Sequence, residues 1–255
     1  MTQEQPPESV HALAIDSLRE RMPEGVTGHI GVTDADLLFR LIEQIKPTQI
    51  IEIGTASGVS TAMIADAIHR FSQPLPTDIP WVISIDLHPF CYFDRTKPVG
   101  YAVQAMVPQI ASWVAVHTGK TAADASELAA APVKLAFIDA DHSHPAPAED
   151  LLALLPALAP TATVAFHDIA LPEIADIRFR KTGIRPFYAD DDGVQRLFNA
   201  WPFEKQRSIA NGVKPPNCGA LTLPGDHEEV RAWLTEYLAQ AAPEIGTPSD
   251  RSPVS

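Results

Sequence analysis

The chain has 255 residues with 32 acidic against 19 basic side chains, a formal charge of −13, so it offers no positive field to a nucleic-acid backbone. Its 45% hydrophobic and 20% charged residues fit a globular protein with room for a sizeable core. Cys91 and Cys218 are the only cysteines, too few for a disulfide framework or a four-thiolate zinc site, and no long apolar span reads as a membrane helix. A cytoplasmic protein with neither nucleic-acid nor membrane partners is expected.

In chain order, residues 1–25 read as a flexible or lid-like N-terminal segment and 26–242 as a single domain. Residues 243–255 read as a disordered tail. Leu37, Leu38, Leu41 and Ile42 share one face of a helix near Asp34–Gln44. A strand over Gln49–Ile53 follows Pro47. Apolar runs then predict strands at Trp81–Ile85, Trp113–His117, Val133–Ile138, Thr161–Phe166 and Gly219–Leu223. Between them, helices fit at Ser60–Phe71, Gly100–Ile110 and Ala148–Leu158, and another follows at Asp226–Ala241. The stretch 170–216 looks irregular and substrate-facing, apart from a helical pattern at Gly193–Phe198. Its aromatic and basic residues, among them Arg178, Phe179, Arg180, Phe187, Tyr188, Phe198 and Trp201, suit an acceptor pocket or a core equally. Strand alternating with helix predicts an α/β fold: a Rossmann-like, doubly wound, mostly parallel sheet with helices on both faces.

Three features sit where strands end. The first is Glu52-Ile53-Gly54-Thr55-Ala56-Ser57-Gly58-Val59-Ser60, a strand running through a glycine turn into a helix. That is how an open α/β sheet holds a nucleotide-like ligand. Gly54 and Gly58 would let backbone approach the ligand, and Glu52 suits an ammonium better than a phosphate. A tight turn in a purely structural sheet would use the same residues. The second is Asp86, which closes its strand about 30 residues later, where a carboxylate accepts both ribose hydroxyls of an adenosyl ligand. Gly119 and Thr121 follow the next strand, at an adenine edge or in a plain turn. The third is Asp139-Ala140-Asp141-His142-Ser143-His144 after one strand and His167-Asp168 after the next. Asp139, Asp141 and Asp168 make an oxygen cluster for a hard divalent cation. Helix capping and solvation are the alternative.

The pattern Glu-x-Gly-x-x-x-Gly-x-Ser resembles motif I of class I S-adenosylmethionine (SAM) dependent methyltransferases. The Asp-x-Asp-His-Ser-His run resembles the Asp-x-Asp-His-Ser-(Tyr/His) signature of the group containing small-molecule O-methyltransferases, with catechol-type and macrolide-sugar enzymes among them. The resemblance covers about Asp34 to Asp168, and more faintly Asn217-Cys218-Gly219-Ala220. It implies SAM held by Glu52, Gly54, Thr55, Gly58, Ser60, Asp86, Gly119, Thr121 and Asp139. It also implies a divalent metal, Mg or Mn, on Asp139, Asp141, His167 and Asp168. A histidine base, His144 or His142, would take the proton of a small-molecule acceptor's hydroxyl.

The chain departs from that pattern at His167-Asp168, where catechol-type relatives carry Asp-Asn and the sugar enzymes two acids. A neutral imidazole suits transition metals better than Mg²⁺, which leaves open Mn²⁺ or another metal, weak binding or no metal, and His167 itself as the base. The expected function is methyl transfer to a hydroxyl oxygen, in a protein expected to form homo-oligomers. Two rivals stand beside it. A nicotinamide-dependent oxidoreductase would need more glycines than Ala56 and Ser57 leave. A non-catalytic or non-methylating SAM- or metal-binding relative would have less use for the histidines.

Overall fold

A computed structural model describes residues 10–27, 29–209 and 215–241. Its elements are α1 (Val10–Arg19), α2 (Val32–Ile45), β1 (Ile50–Ile53), α3 (Val59–Phe71), β2 (Val82–Asp86), α4 (Tyr101–Met106), β3 (Val114–Thr118), α5 (Ala125–Leu128) and β4 (Val133–Ile138). They continue with α6 (Ala146–Leu154), β5 (Leu158–His167), α7 (Leu171–Thr182), α8 (Gly193–Ala200), β6 (Lys205–Arg207), β7 (Cys218–Thr222) and α9 (His227–Ala241).

The strands form one sheet in the order β3-β2-β1-β4-β5-β7-β6. β1 to β5 pair in parallel, while β7 runs antiparallel to both β5 and β6. The chain winds outward from β1 to β3 and returns to β4 on the other side of β1. The carboxyl ends of β1 and β4 therefore border a topological switch point, where open α/β sheets place their ligands.

Side chains alternate between two apolar layers, as a strand's period of two requires. Leu135, Phe137 and Ala165 join the layer built on α1, α2, α3 and α4. Ala136, Ile138, Val164 and Phe166 join the layer built on α6, α8 and α9. Burial on both faces explains the continuous apolar runs of the parallel strands. The doubly wound architecture expected from the sequence is present.

Several boundaries differ from expectation. Residues 10–19 are not a loose segment: α1 buries Ala14, Ile15 and Leu18 within the layer that contains α2. Residues 1–9 and the expected tail at 243–255 lie outside the described residues. α4 ends at Met106, because Pro108 disfavours helical backbone at Val107. α6 stops at Leu154 and passes through one tight turn containing Pro156 into β5, which takes Leu158 into the strand. Within the stretch read as irregular, α7 forms and closes at Gly183 (φ 69°). Only Leu171 and Ala175 of α7 are buried, so its sequence shows no apolar stripe. β6 is an exposed edge strand whose Lys-Gln-Arg composition has no strand periodicity and suits an edge. α8 forms where the Gly193–Phe198 pattern placed it, burying Val194, Leu197 and Phe198.

Candidate active site

The glycine turn between β1 and α3 is fixed by close contacts within the protein. Gly54 has φ 93°, and a Cβ there would lie 2.0 Å from the Asp139 carbonyl oxygen. At Gly58, with φ 84°, a Cβ would meet Gly100 Cα at 2.9 Å. Both glycines thus allow close backbone-to-backbone approach within the protein. The amino end of α4 docks on the turn through Gly100 N–H to Ala56 O at 2.9 Å and Ala102 N–H to Ser57 O at 2.9 Å. Asp86, half-buried at the end of β2, accepts from the Thr55 and Ala56 N–H groups at 3.2 and 3.0 Å. Its other oxygen accepts from His88 N–H at 2.9 Å. The acid expected to hold a ribose therefore also clamps the glycine turn.

Glu52 occupies the middle of this arrangement but does not face the mouth of the site. Its side chain is fully buried and accepts hydrogen bonds from Ser60 Oγ at 2.6 Å, Thr61 Oγ1 at 2.5 Å and Ser84 Oγ at 2.5 Å. Thr55 Oγ1 lies 2.6 Å from Ser84 Oγ, extending the network. Burial pushes the Glu52 carboxyl up to about 7, against the pull of the three hydroxyls. The expected role as ammonium partner is corrected accordingly. A carboxylate on the inner face of β1 meets α3, and its donors come from there and from β2. Ser60 is likewise turned inward, toward Glu52.

After β3, a Cβ added at Gly119 (φ 71°) would meet nothing within 4 Å, so that rim is open. Thr121 is committed to its own turn. Its N–H and Oγ1 donate to Asp124 Oδ2 at 2.9 and 3.3 Å, a local cap.

Beyond the ends of β4 and β5 the expected acids and histidines converge only in part. His142 Nε2 lies 3.2 Å from Asp139 Oδ1 and 3.3 Å from Asp168 Oδ2. His167 Nδ1 lies 3.3 Å from Asp139 Oδ1 and 3.4 Å from Asp168 Oδ1. Donor atoms of Asp139, His142 and Asp168 all fall within 4.8 Å of one another, as ligands of one cation would. Burial alone would raise both carboxyls, yet His167 and His142 hold Asp139 and Asp168 below the usual range. Burial likewise works against charge on the two imidazoles, but the two acids raise both, His167 strongly. Gly193 N–H donates to His142 O at 2.9 Å and pins the loop that carries His142.

Two expected members stand apart. Asp141 is exposed and folds back on its own turn, accepting from Ser143 N–H at 2.8 Å and Ser143 Oγ at 2.7 Å. An Asp two residues before a turn donor does this readily, so alternation along the chain did not bring it beside Asp139. The His144 ring packs edge-on against Tyr237 of α9, with centroids 5.7 Å apart. Its Nδ1 is buried with no hydrogen-bond partner among the described residues. Its ring packs on the helical layer at α9 and makes no hydrogen bond or ion pair with the cluster among the described residues.

Asp34, Ser208 and Tyr92 escaped the sequence reading, and Asn217 entered it only through the fainter resemblance at Asn217-Cys218-Gly219-Ala220. Asp34 of α2 is buried, with Oδ2 3.9 Å from His167 Nε2. Ser208 Oγ and Asn217 N–H donate to Asp34 Oδ1 at 2.7 and 3.2 Å. Asn217 Nδ2 donates to Asp168 Oδ1 at 2.6 Å. The signal for Asp34 was present, since it lies on the same helical stripe as Leu37, Leu38, Leu41 and Ile42, an acid among apolar neighbours. Tyr92 is 65% exposed, and its phenol is raised by burial and then by the charges of Asp139 and Asp168. A lone Tyr in a loop carries no such signal.

Residues 51–169 match a family model described as a methyltransferase domain. Among solved structures, the cofactor-bound protein Rv0187 from MTB is 17% identical, with 90% of this chain and 99% of that chain covered at a TM-score of 0.53. The O-methyltransferase TomG from Streptomyces achromogenes, involved in tomaymycin synthesis and solved with SAM, is 20% identical, covering 85% and 91% at a TM-score of 0.52. An O-methyltransferase from Bacillus cereus, solved with S-adenosylhomocysteine, is 16% identical over 85% and 91%, with a TM-score of 0.50. At these identities the likeness establishes the fold. No curated protein matches the chain. The methyltransferase resemblance read from the motifs thus has its counterpart in the family model, and the expected fold has its counterpart in the solved structures.

Proposed function

We propose, from the match of residues 51–169 to a methyltransferase-domain model, that the protein is SAM-dependent and moves the methyl group of SAM to a hydroxyl oxygen of a small molecule. One observation carries the reading: the glycine turn and the acid–histidine cluster share a wall. Gly54 lies so close to the Asp139 carbonyl that not even a Cβ would fit between them. A methyl donor lying on the turn would therefore reach an acceptor held at Asp139, His142 and Asp168, the short approach that methyl transfer requires.

Each part of the site has a role in this reading. Asp86 takes the ribose hydroxyls with the lone pairs its backbone bonds leave free. Exposed Leu87 and Phe90 beside it offer an apolar face to adenine. Glu52 orders the turn from inside, through Ser60, Thr61 and Ser84. Tyr92 borders the acceptor. The donor atoms of Asp139, His142 and Asp168 fit a divalent ion, and bound there it would lower the acceptor's pKa and fix its orientation. The acceptor oxygen forms its bond to the methyl carbon as the carbon–sulfur bond breaks. The bonding pair stays on sulfur, which leaves as a neutral thioether. The hydroxyl proton passes to water, because His144 faces α9 and the two cluster imidazoles are already held between carboxylates.

Calorimetric titration with SAM, S-adenosylhomocysteine and NADH tests the first half, and product analysis with hydroxylated acceptors tests the second. Binding of both adenosyl ligands that Asp86→Ala weakens by about 10- to 100-fold, followed by an O-methylated product, is expected. Binding of NADH in their place would overturn the reading.

A further inference from the structure

We propose that the groove along α7 binds an oxyanion, a carboxylate or phosphate, carried by the acceptor about 10 Å from the hydroxyl that is methylated. The proposal rests on the methyltransferase reading of the neighbouring cluster and names the class of acceptor.

The position of the groove is the first argument. It is a cavity of about 300 Å³ lined by Ile174, Ile177, Arg178 and Lys181 on one side and by Tyr188 and Pro215 on the other. The first four follow one another at helical spacing, so one face of α7 forms a wall. Both walls are anchored beside the acid–histidine cluster. Helix α7 begins at Leu171, shortly after Asp168. Pro215 lies just before Asn217, whose side chain donates to Asp168 Oδ1 at 2.6 Å and accepts from Ala170 N–H at 3.1 Å. The groove therefore leads away from Asp168 along the helix, which rises about 10 Å between Leu171 and Arg178.

Charge is the second. Arg178 and Lys181 are exposed, and neither has an ion-pair partner among the described residues. That is unexpected in a chain with 32 acids against 19 bases, because two like charges three residues apart on one helix repel. The acids of α7 do not relieve them. Glu173 accepts from Gln195 Nε2 at 3.2 Å, and Asp176 lines a smaller groove of about 120 Å³ on the opposite flank. The cation of that smaller groove, Arg185, is already paired with Asp190 at 2.5 Å. A helix dipole favours cations in the last turn, and Arg180 needs no other reason. It does not account for two unpaired cations on the wall of one cavity.

The chemistry of the lining is the third. The guanidinium of Arg178 offers the fork that matches a carboxylate or phosphate, and Lys181 adds a point charge. Tyr188 adds a hydroxyl with no hydrogen-bond partner among the described residues. Ile174, Ile177 and Pro215 offer an apolar surface to the carbon skeleton between anion and hydroxyl. Asp139 and Asp168 repel an anion at the other end, so the acceptor has one orientation: neutral hydroxyl toward the acids, anion toward α7.

The test is calorimetric titration of full-length protein with a hydroxyphenylbutanoic acid, its uncharged amide, and a hydroxyphenylalkyl phosphate of the same span. Each is run with and without S-adenosylhomocysteine. At least one of the two anions should bind about 10-fold or more tighter than the amide, and the comparison between them identifies carboxylate or phosphate as the group preferred. Arg178→Ala and Lys181→Ala should each remove about 10-fold of the anion's affinity and none of the amide's. Arg178→Lys, which keeps the charge but loses the fork, should fall between. Arg180→Ala should change nothing, and melting curves should show each variant folded. An amide that binds as well as both anions, an anion preference indifferent to Arg178→Ala and Lys181→Ala, or binding of none of the three refutes the proposal. SAM is titrated into the same samples. SAM binding without an anion preference defeats only this inference. An anion preference that needs both cations, in a protein that binds no SAM, leaves the groove standing and defeats the methyltransferase reading.

Discussion

Replacing Glu52 with Gln should flatten a pH dependence of folding that the wild-type protein carries. The carboxyl is completely buried, and its folded-state value rises from 4.5 to about 7. The folded state therefore holds the Glu52 proton more tightly than the unfolded chain does. Its contribution to stability is fully present below pH 4.5 and is lost as pH rises through about 7. A shift of this size corresponds to about 3 kcal/mol, since one unit is worth about 1.4 kcal/mol. The amide introduced by Glu52→Gln has no proton to lose. Ser60, Thr61 and Ser84 are hydroxyls and can rotate from donating to accepting, so the amide nitrogen finds partners as well.

Urea unfolding of both proteins at several values between pH 5 and pH 8 measures the effect. Every other titrating group is common to the two chains and cancels in their difference. The variant should gain about 2–3 kcal/mol relative to wild type across that interval. Profiles parallel within about 0.5 kcal/mol, the usual limit of additivity, would show that the three hydroxyls offset burial completely. Glu52 would then be an ordinary ionised carboxylate.

Gly54→Ala places a Cβ 2.0 Å from the Asp139 carbonyl at φ 93°; backbone strain and overpacking together cost about 2–5 kcal/mol, so melting should fall by about 5–15 °C, and an unchanged melt would refute the contact. Asp86→Ala removes a charged acceptor from two N–H groups of the turn and from the ribose. SAM affinity measured by calorimetry should drop about 10- to 100-fold, and retained affinity would move the ribose elsewhere. Tyr92→Ala removes an exposed ring whose phenol feels the charges of Asp139 and Asp168. The acceptor KM should rise by roughly tenfold while SAM binding stays constant, and the reverse pattern would place Tyr92 with the methyl donor instead.

The sequence was legible where a polar residue interrupts an apolar run at a strand end. Gly54, Asp86, Asp139 and the His167-Asp168 pair were picked out this way, and the mostly parallel, doubly wound sheet follows from alternation of strand and helix. It was not legible where a side chain's role depends on what the fold packs against it. Glu52 and Asp86 both sit at or near the end of a strand beside the same turn, yet one is enclosed by three hydroxyls and the other meets backbone N–H groups at the mouth. Ser84, a single polar residue inside Val82–Asp86, belonged to the Glu52 network but looks in sequence like a tolerated substitution. Asp141 and His142 are adjacent in the chain. The turn that Asp141 makes with Ser143 sends only the histidine to the cluster. α7 and β6 were missed because their faces are mostly solvent-exposed, which erases the periodicity on which sequence reading depends.

Five carboxyls, Asp34, Glu52, Asp86, Asp139 and Asp168, crowd one edge of the sheet in a chain of charge −13, and each must be made tolerable at close quarters. Glu52 is met by three hydroxyl donors, Asp86 by three backbone N–H groups, and Asp34 by a hydroxyl and a backbone N–H. Those donors are neutral and cannot leave, so their acids are permanently committed to the scaffold or to neutral ligands such as ribose hydroxyls. Asp139 and Asp168 alone are balanced chiefly by imidazoles, whose positive charge is carried by protons. A proton is the one partner that a metal ion can displace without any side chain moving out of the site. The chemistry of this edge therefore concentrates at the one pair of acids whose compensation is exchangeable, and the neutral networks around it keep that pair in place.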